Sequence, residues 1–424
     1  MSESPTSDGE AQAAPDTSMR ALLRQRDFVF FWCSRWTAVL GVQIMSVALG
    51  WHVYDIARRT MGVKESAFMV SMIGLVSFVP VLLLALPAGE TADRHNRRKI
   101  LLFCYSGEIA VALGLTLAAF FNRETIPLLL GAAVLFGVAR AFFAPANTAL
   151  GPMLVPRELL PRAIAWNSLA WQTASIIGPA VGGLLIVVSL SAPYAVAACL
   201  YVVAMGCILM VRGNAQPQVQ PGSRWALMKE GLSYVWNNKI VFGAISLDLA
   251  AVILGGATAL LPVFARDVLH VDSWGFGILR AGPAIGAAAV AVYLAANPIR
   301  SRAGLIMFAS VALFGLGTIA FGLSNYLWLS VAALILLGGA DMVSVYVRQT
   351  LIQLATPDHM RGRVATVSSL FIGASNELGE FESGVVARFL GPVGAAVFGG
   401  VGALAVTGIW AWMFPALRKA DRLV

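Results

Sequence analysis

From Ser66 to Ala88 the chain runs through 23 residues without one charged side chain. A hydrocarbon core of ~30 Å takes about 20 apolar residues in a helix, so a stretch of this kind predicts a membrane span. Read on that rule, the chain holds twelve spans: 28–56, 66–88, 100–121, 126–150, 163–188 and 192–211, then 240–264, 274–297, 304–323, 326–350, 364–389 and 393–414. Lipid offers the backbone no hydrogen-bond partners, so the fold class is an all-α membrane protein. Composition agrees: 58% of the residues are apolar and 12% charged, where a soluble domain carries about 25% charged residues.

Cations set the topology. The pI of 9.6 is carried by short loops beside apolar spans, the positive-inside pattern, and nucleic acid is excluded as a partner. With the N-terminus, the even-numbered turns and the C-terminus in the cytoplasm, those segments hold 20 Lys and Arg and the outer turns 6. The expected location is therefore a bacterial inner membrane, multi-pass, with both termini cytoplasmic. Arg58, Arg59 and Lys64 are an unexplained cluster on the outer side.

The segments divide accordingly. Residues 1–19, rich in Ser, Ala, Pro, Asp and Glu and without an apolar h-region, read as a disordered cytoplasmic tail rather than a signal peptide. Residues 20–211 and 240–414 form two six-helix halves, 212–239 a linker and 415–424 a cytoplasmic tail. In the linker Trp225, Met228, Leu232 and Val235 recur at helical spacing opposite Arg224, Lys229 and Glu230, which predicts an amphipathic helix on the inner surface.

Offsetting the chain by 201 residues superimposes the halves: Leu135, Gly137, Pro156, Arg162, Gly178 and Gly183 fall on Leu336, Gly338, Pro357, Arg363, Gly379 and Gly384. Six spans separate the copies, an even number, so the repeats are parallel about an axis along the membrane normal. No Walker A sequence occurs, so an ion or substrate gradient is the expected energy source and no cofactor is required. Cys33, Cys104, Cys199 and Cys207 lie in apolar segments without a C-x-x-C pair, and the four histidines are scattered, so no metal site is expected.

Three segments carry the chemistry. The loop Gly89-Glu90-Thr91-Ala92-Asp93-Arg94-His95-Asn96-Arg97-Arg98-Lys99 resembles the loop 2–3 signature of the major facilitator superfamily of secondary transporters. That resemblance implies twelve helices in two pseudo-symmetric halves, alternating access, and a latch in which Asp93 and the cations Arg94, Arg97, Arg98 and Lys99 hold the halves in the outward-facing state. Asn96 stands where the family usually has Gly; Asn tolerates the left-handed conformation, so the turn is expected to survive. In span 5, Gly178-Pro179-x-x-Gly182-Gly183 resembles the superfamily's antiporter motif and favours export. Its small residues permit close helix contact and its proline weakens the backbone ladder.

Span 11 holds Asn376-Glu377-Leu378-Gly379-Glu380-Phe381-Glu382-Ser383-Gly384. Intramembrane carboxylates are costly and mark ion or substrate pathways. Glu377 and Glu380 share a helix face and Glu382 points roughly the other way. Neighbouring carboxylates in a low dielectric favour proton uptake, which suits coupling near neutrality. Arg280 is the candidate ion-pair partner. Arg140 and Asp341 are repeat-equivalent and expected to face each other across the cavity, with Arg348 on the same side of span 10. Arg35 and Asp248 are inner-gate candidates, and Glu108 a structural partner on a peripheral span.

The span 11 string, with the loop, resembles the enterobactin-exporter branch of the superfamily. It implies a proton antiporter that exports a small molecule, a catecholate siderophore or a lipophilic drug such as a macrolide; a monomer is expected. A proton-coupled importer and a non-transporting membrane sensor are the alternatives.

Overall fold

The protein is described by a computed structural model covering residues 19–213, 224–299 and 301–420. The N-terminal tail to residue 18, linker residues 214–223, Arg300 and the last four residues lie outside it. The first six spans are α1 (Arg26–Thr60), α2 (Val63–Arg94), α3 (Arg97–Phe120), α4 (Ile126–Leu150), α5 (Leu160–Val188) and α6 (Ala192–Met210). The second six are α7 (Lys239–Leu254), α8 (Ser273–Ala296), α9 (Ala303–Leu323), α10 (Leu327–Ala355), α11 (358–390) and α12 (392–413). Phe103, Val188 and Trp412 are 79%, 79% and 81% exposed, a surface that only lipid solvates.

Polar residues at the span ends set where helices begin. Thr125 accepts from Leu128 N at the start of α4, and Asn238 accepts from Ile240 N and Val241 N at the start of α7. Asn96 does the same for α3, accepting from Arg98 N at 3.0 Å and Lys99 N at 3.4 Å. Its φ of −61° and ψ of 113° are extended, not left-handed. The sequence expectation is thus corrected: Asn serves here as an acceptor, and a residue that initiates the next helix must stay extended.

The repeat is visible contact by contact. Gly137 lies against the Ser77 backbone of α2, and its equivalent Gly338 against the Pro283 backbone of α8. Gly178 packs on Leu40 and Gln43 of α1, and Gly379 on Val252 and Ile253 of α7. Gly183 meets Ser273 and Gly277 of α8, and Gly384 meets Ser71 of α2. These last two crossings, α5 on α8 and α11 on α2, join the halves. Leu135 and Leu336 are both exposed to lipid.

Two spans depart from a plain rod. The seventh breaks at Gly255 and Gly256 and continues as a short segment, 257–268, of 3-10, α and π turns. Gly256 lies against the Gly379 carbonyl, an approach that any side chain would block. The eleventh and twelfth run into one another through Gly391 alone, at φ 79° and ψ 169°, so the turn between them is a single residue.

The linker helix Arg224–Asn237 packs on α11 and α7. Glu230 pairs with Arg363, Val235 is buried and Met228 packs beside it. Leu232 is 44% exposed. The apolar stripe is therefore split: part docks on the second half and part is left outside it.

Candidate functional site

A cavity of about 800 Å³ lies between the halves, walled by α1, α2, α3, α4, α5, α7, α8, α9, α10 and α11. Along α1 its lining runs from Arg35, nine residues into the helix, to Leu49. That stretch is centred on the span, with Arg35 on the side of the Gly89–Lys99 loop, here the basic end, and Leu49 toward the other. Phe136, Phe143, Trp171 and Phe314 supply apolar wall, and Gln43, Asn147 and Gln172 supply hydrogen-bonding groups.

The opposite end is closed by a clasp between halves. Asp267, on the segment beyond the break, accepts from Tyr54 Oη and from Arg58 Nη2, the latter at 3.2 Å. Arg266 Nη1 donates to Asp55 Oδ1 at 2.6 Å, and Arg59 Nη2 to Asp55 Oδ2 at 2.8 Å. Lys64 Nζ donates to the Phe389 carbonyl at 3.0 Å. Of the three cations that broke the charge rule, Arg58 and Lys64 join the halves directly, and Arg59 holds Asp55 of its own helix, which Arg266 reaches from the other half. Their positions in the sequence were the available signal; the acidic partner Asp267 was not singled out.

On α11, Glu377 and Glu380 both line the cavity. Arg140 of α4 reaches across the halves to Glu377, with Nη1 2.8 Å from Oε1. Arg280 Nη1 of α8 lies 3.8 Å from Glu380 Oε1, and the Thr258 hydroxyl donates to the same oxygen at 3.5 Å. Arg280 also donates to the Thr258 carbonyl at 3.3 Å. Gly74 of α2 sits against both carboxylates: a Cβ there would be 3.3 Å from Glu380 Oε2 and 3.5 Å from Glu377 Oε2. Sequence reasoning missed Gly74 and Thr258, because nothing in a small residue's identity says what it faces.

Several pairings differ from expectation. Arg140 is matched to Glu377 and not to Asp341, because α4 meets α11 across the cavity. Asp248 is paired with Arg348 inside the second half, not with Arg35, since α7 and α10 are packed neighbours; the pair is 8% and 2% exposed. Asp341 lines a small recess with Asp248 and Ser344. Glu382 does not line the cavity, because two residues past Glu380 turn it about 200° round the helix; its Oε2 accepts from the Ser383 hydroxyl at 3.5 Å. Glu108 is 3% exposed yet lines the cavity, where a peripheral structural role was expected.

At the basic end, Arg97 donates to the carbonyls of Ala92 and Ala149, and Arg98 to that of Leu209. Cations thus sit on the last carbonyls of α4 and α6, where helix ends attract them. Arg94 pairs with Glu90 at 2.8 Å, Gly89 is buried, Asp93 is half-buried and Lys99 is exposed. In the antiporter-like motif, Gly178 and Gly182 pack on α1, Gly183 on α8, and the Pro179 carbonyl faces Gly277. Pro179 also leaves the Ser175 carbonyl without its helical N–H partner.

Comparison with known proteins extends over most of the chain. A family described as transmembrane secretion effectors matches residues 17–423. The enterobactin exporter EntS of Citrobacter koseri is 26% identical over 377 residues, 88% of this chain and 84% of its own length. EntS of Escherichia coli O157:H7 matches at the same identity and coverage. Among solved structures, a POT family transporter bound to a thioalcohol-conjugated peptide aligns with a TM-score of 0.73 at 11% identity, covering 92% of this chain and 96% of its own. A bacterial homolog of the human lysosomal transporter Spinster, inward-facing and unoccupied, aligns at 0.69 with 14% identity, covering 93% and 96%. The D-xylose–proton symporter aligns at 0.68 with 10% identity, covering 91% and 97%.

Proposed function

The chain belongs to the transmembrane secretion effector family of the major facilitator superfamily, and is therefore a multi-pass membrane protein and a secondary transporter rather than an enzyme; from that premise we propose that it exports a small organic molecule by proton antiport. The basic end is placed in the cytoplasm by the positive-inside rule, in a bacterial inner membrane. The cavity then opens inward and the Arg58–Asp267 clasp seals the outside.

One observation carries the reading: Glu377 and Glu380, adjacent on one helix face, are each held by an arginine of a different helix inside the cavity. Protonation of Glu377 releases Arg140, and with it a polar tie between the halves. Protonation of Glu380 releases Arg280 and Thr258. In the outward-open state protons arriving from outside load the pair, substrate leaves, and the loaded carrier returns inward. Deprotonation at the higher cytoplasmic pH restores the arginine contacts. A siderophore is the favoured cargo, on the similarity to enterobactin exporters, and a lipophilic drug is second.

Everted vesicles test the direction. Substrate accumulation driven by an inward-acid pH gradient supports export; accumulation only in right-side-out vesicles overturns it. Glu377→Gln and Glu380→Gln in proteoliposomes should each abolish gradient-driven transport while leaving the helical circular dichroism unchanged.

A further inference from the structure

Four arginines line the cavity, and three have a carboxylate partner: Arg140 with Glu377, Arg280 with Glu380 and Arg348 with Asp248. Arg35 has none among the described residues, and its buried Nε lacks any hydrogen-bond acceptor. Arg35 is half-buried with its head at the cavity wall, and a guanidinium there offers five N–H donors that an anion can satisfy. The group beside it, Tyr105, is already engaged with the Ser34 hydroxyl at 2.9 Å. Tyr105 packs on Phe143 with ring centroids 5.8 Å apart, and Phe143 and Asn147, one turn apart on α4, line the same cavity. Cation, aromatic face and amide thus converge on the first-half wall toward the basic end.

We propose that Arg35 is the anchor for an anionic group of the cargo, so that the substrate class is an organic anion with an aromatic or otherwise flat apolar body. The inference rests on reading this cavity as the substrate's. A carboxylate or phenolate would supply the missing acceptors in a charge-assisted, forked contact, while the ring stacks along Phe143 and Asn147 bonds a neighbouring polar substituent. The site belongs to the first half, whereas the coupling carboxylates belong to the second. Cargo and proton therefore bind on opposite walls.

Equilibrium dialysis of the full-length protein in phosphatidylcholine nanodiscs, which add no net-anionic headgroup, tests this with 2-naphthoate and its neutral isostere 2-naphthamide. The wild type should bind the anion about tenfold more tightly than the amide, the scale of one charge-assisted contact, and raised salt should shrink the preference. Arg35→Gln should abolish the preference and leave amide binding unchanged; Arg35→Lys should retain part of it. Equal binding of anion and amide by the wild type overturns the proposal whether or not the variants fold, as does a full preference in Arg35→Gln. No gradient is applied, so a failure here leaves proton antiport standing, and a failure of coupling at Glu377 leaves this result standing.

Discussion

Arg58 of the first half and Asp267 of the second meet at 3.2 Å and close the far end of the cavity from opposite sides. The residues are 27% and 21% exposed, so each bond is modest, but Tyr54 converges on the same carboxylate. Asp267→Asn should weaken the closed state by about 1.4 kcal/mol, a tenfold change in the open population. Leu49→Cys, at the closed end of the cavity lining, reports it: an impermeant maleimide on the far side should react about tenfold faster in the variant. An unchanged rate would mean that packing alone holds that end shut.

Asp248 neutralises Arg348, which is 2% exposed. Removing the acid alone strands a buried cation, at a cost of about 3–5 kcal/mol. Asp248→Asn should therefore lower the melting temperature in detergent sharply. The double variant Asp248→Leu/Arg348→Met should recover most of the loss, since the geometric demand disappears with the charge. A double variant no more stable than the single would refute this account.

Gly74 controls the space beside Glu377 and Glu380. Alanine there would require the Glu380 carboxylate to give by a few tenths of an ångström, and valine a larger displacement at about 1–3 kcal/mol. Gradient-driven transport in proteoliposomes should fall in the order glycine, alanine, valine. Equal rates for all three would show that the carboxylates move freely past α2.

Gly137 and Gly338 are repeat-equivalent, and a side chain at either would strike backbone. Leucine at each should destabilise the protein by more than about 3 kcal/mol, because backbone cannot move aside as a rotamer can. Gly107 and Gly206 have open space around their Cβ positions, so leucine there should leave thermal stability within about 0.5 kcal/mol. Thermal unfolding of the four variants measures both arms.

The spans and the repeat could be read from sequence because lipid forces both: an unpaired backbone cannot cross it, and a duplicated bundle keeps its glycines where helices touch. The 201-residue offset predicts contacts as well as residues, as Gly183 and Gly384 show. Partner choice could not be read in this way. Arg140 meets Glu377 across 237 positions, a meeting set by how α4 and α11 lie across the cavity, which no local periodicity encodes. Glu382 followed helix phase and is turned from the cavity. Asp248 pairs with Arg348 because α7 and α10 pack side by side within one half, a neighbourhood that local periodicity does not encode either.

The segment beyond the break in the seventh span touches two things at once. Its Gly256 end bears on the Gly379 carbonyl, one residue from Glu380, and its other end carries Arg266 and Asp267 of the clasp. It spans about 16 Å at ~1.5 Å per residue, from beside the Glu377–Glu380 carboxylates to the clasp. Slippage, the passage of protons without cargo or cargo without protons, requires the two ends to act separately. A twelve-residue element of tight turns leaves little compliance for that, so the proposed exchange would owe its fidelity to stiffness as much as to chemistry.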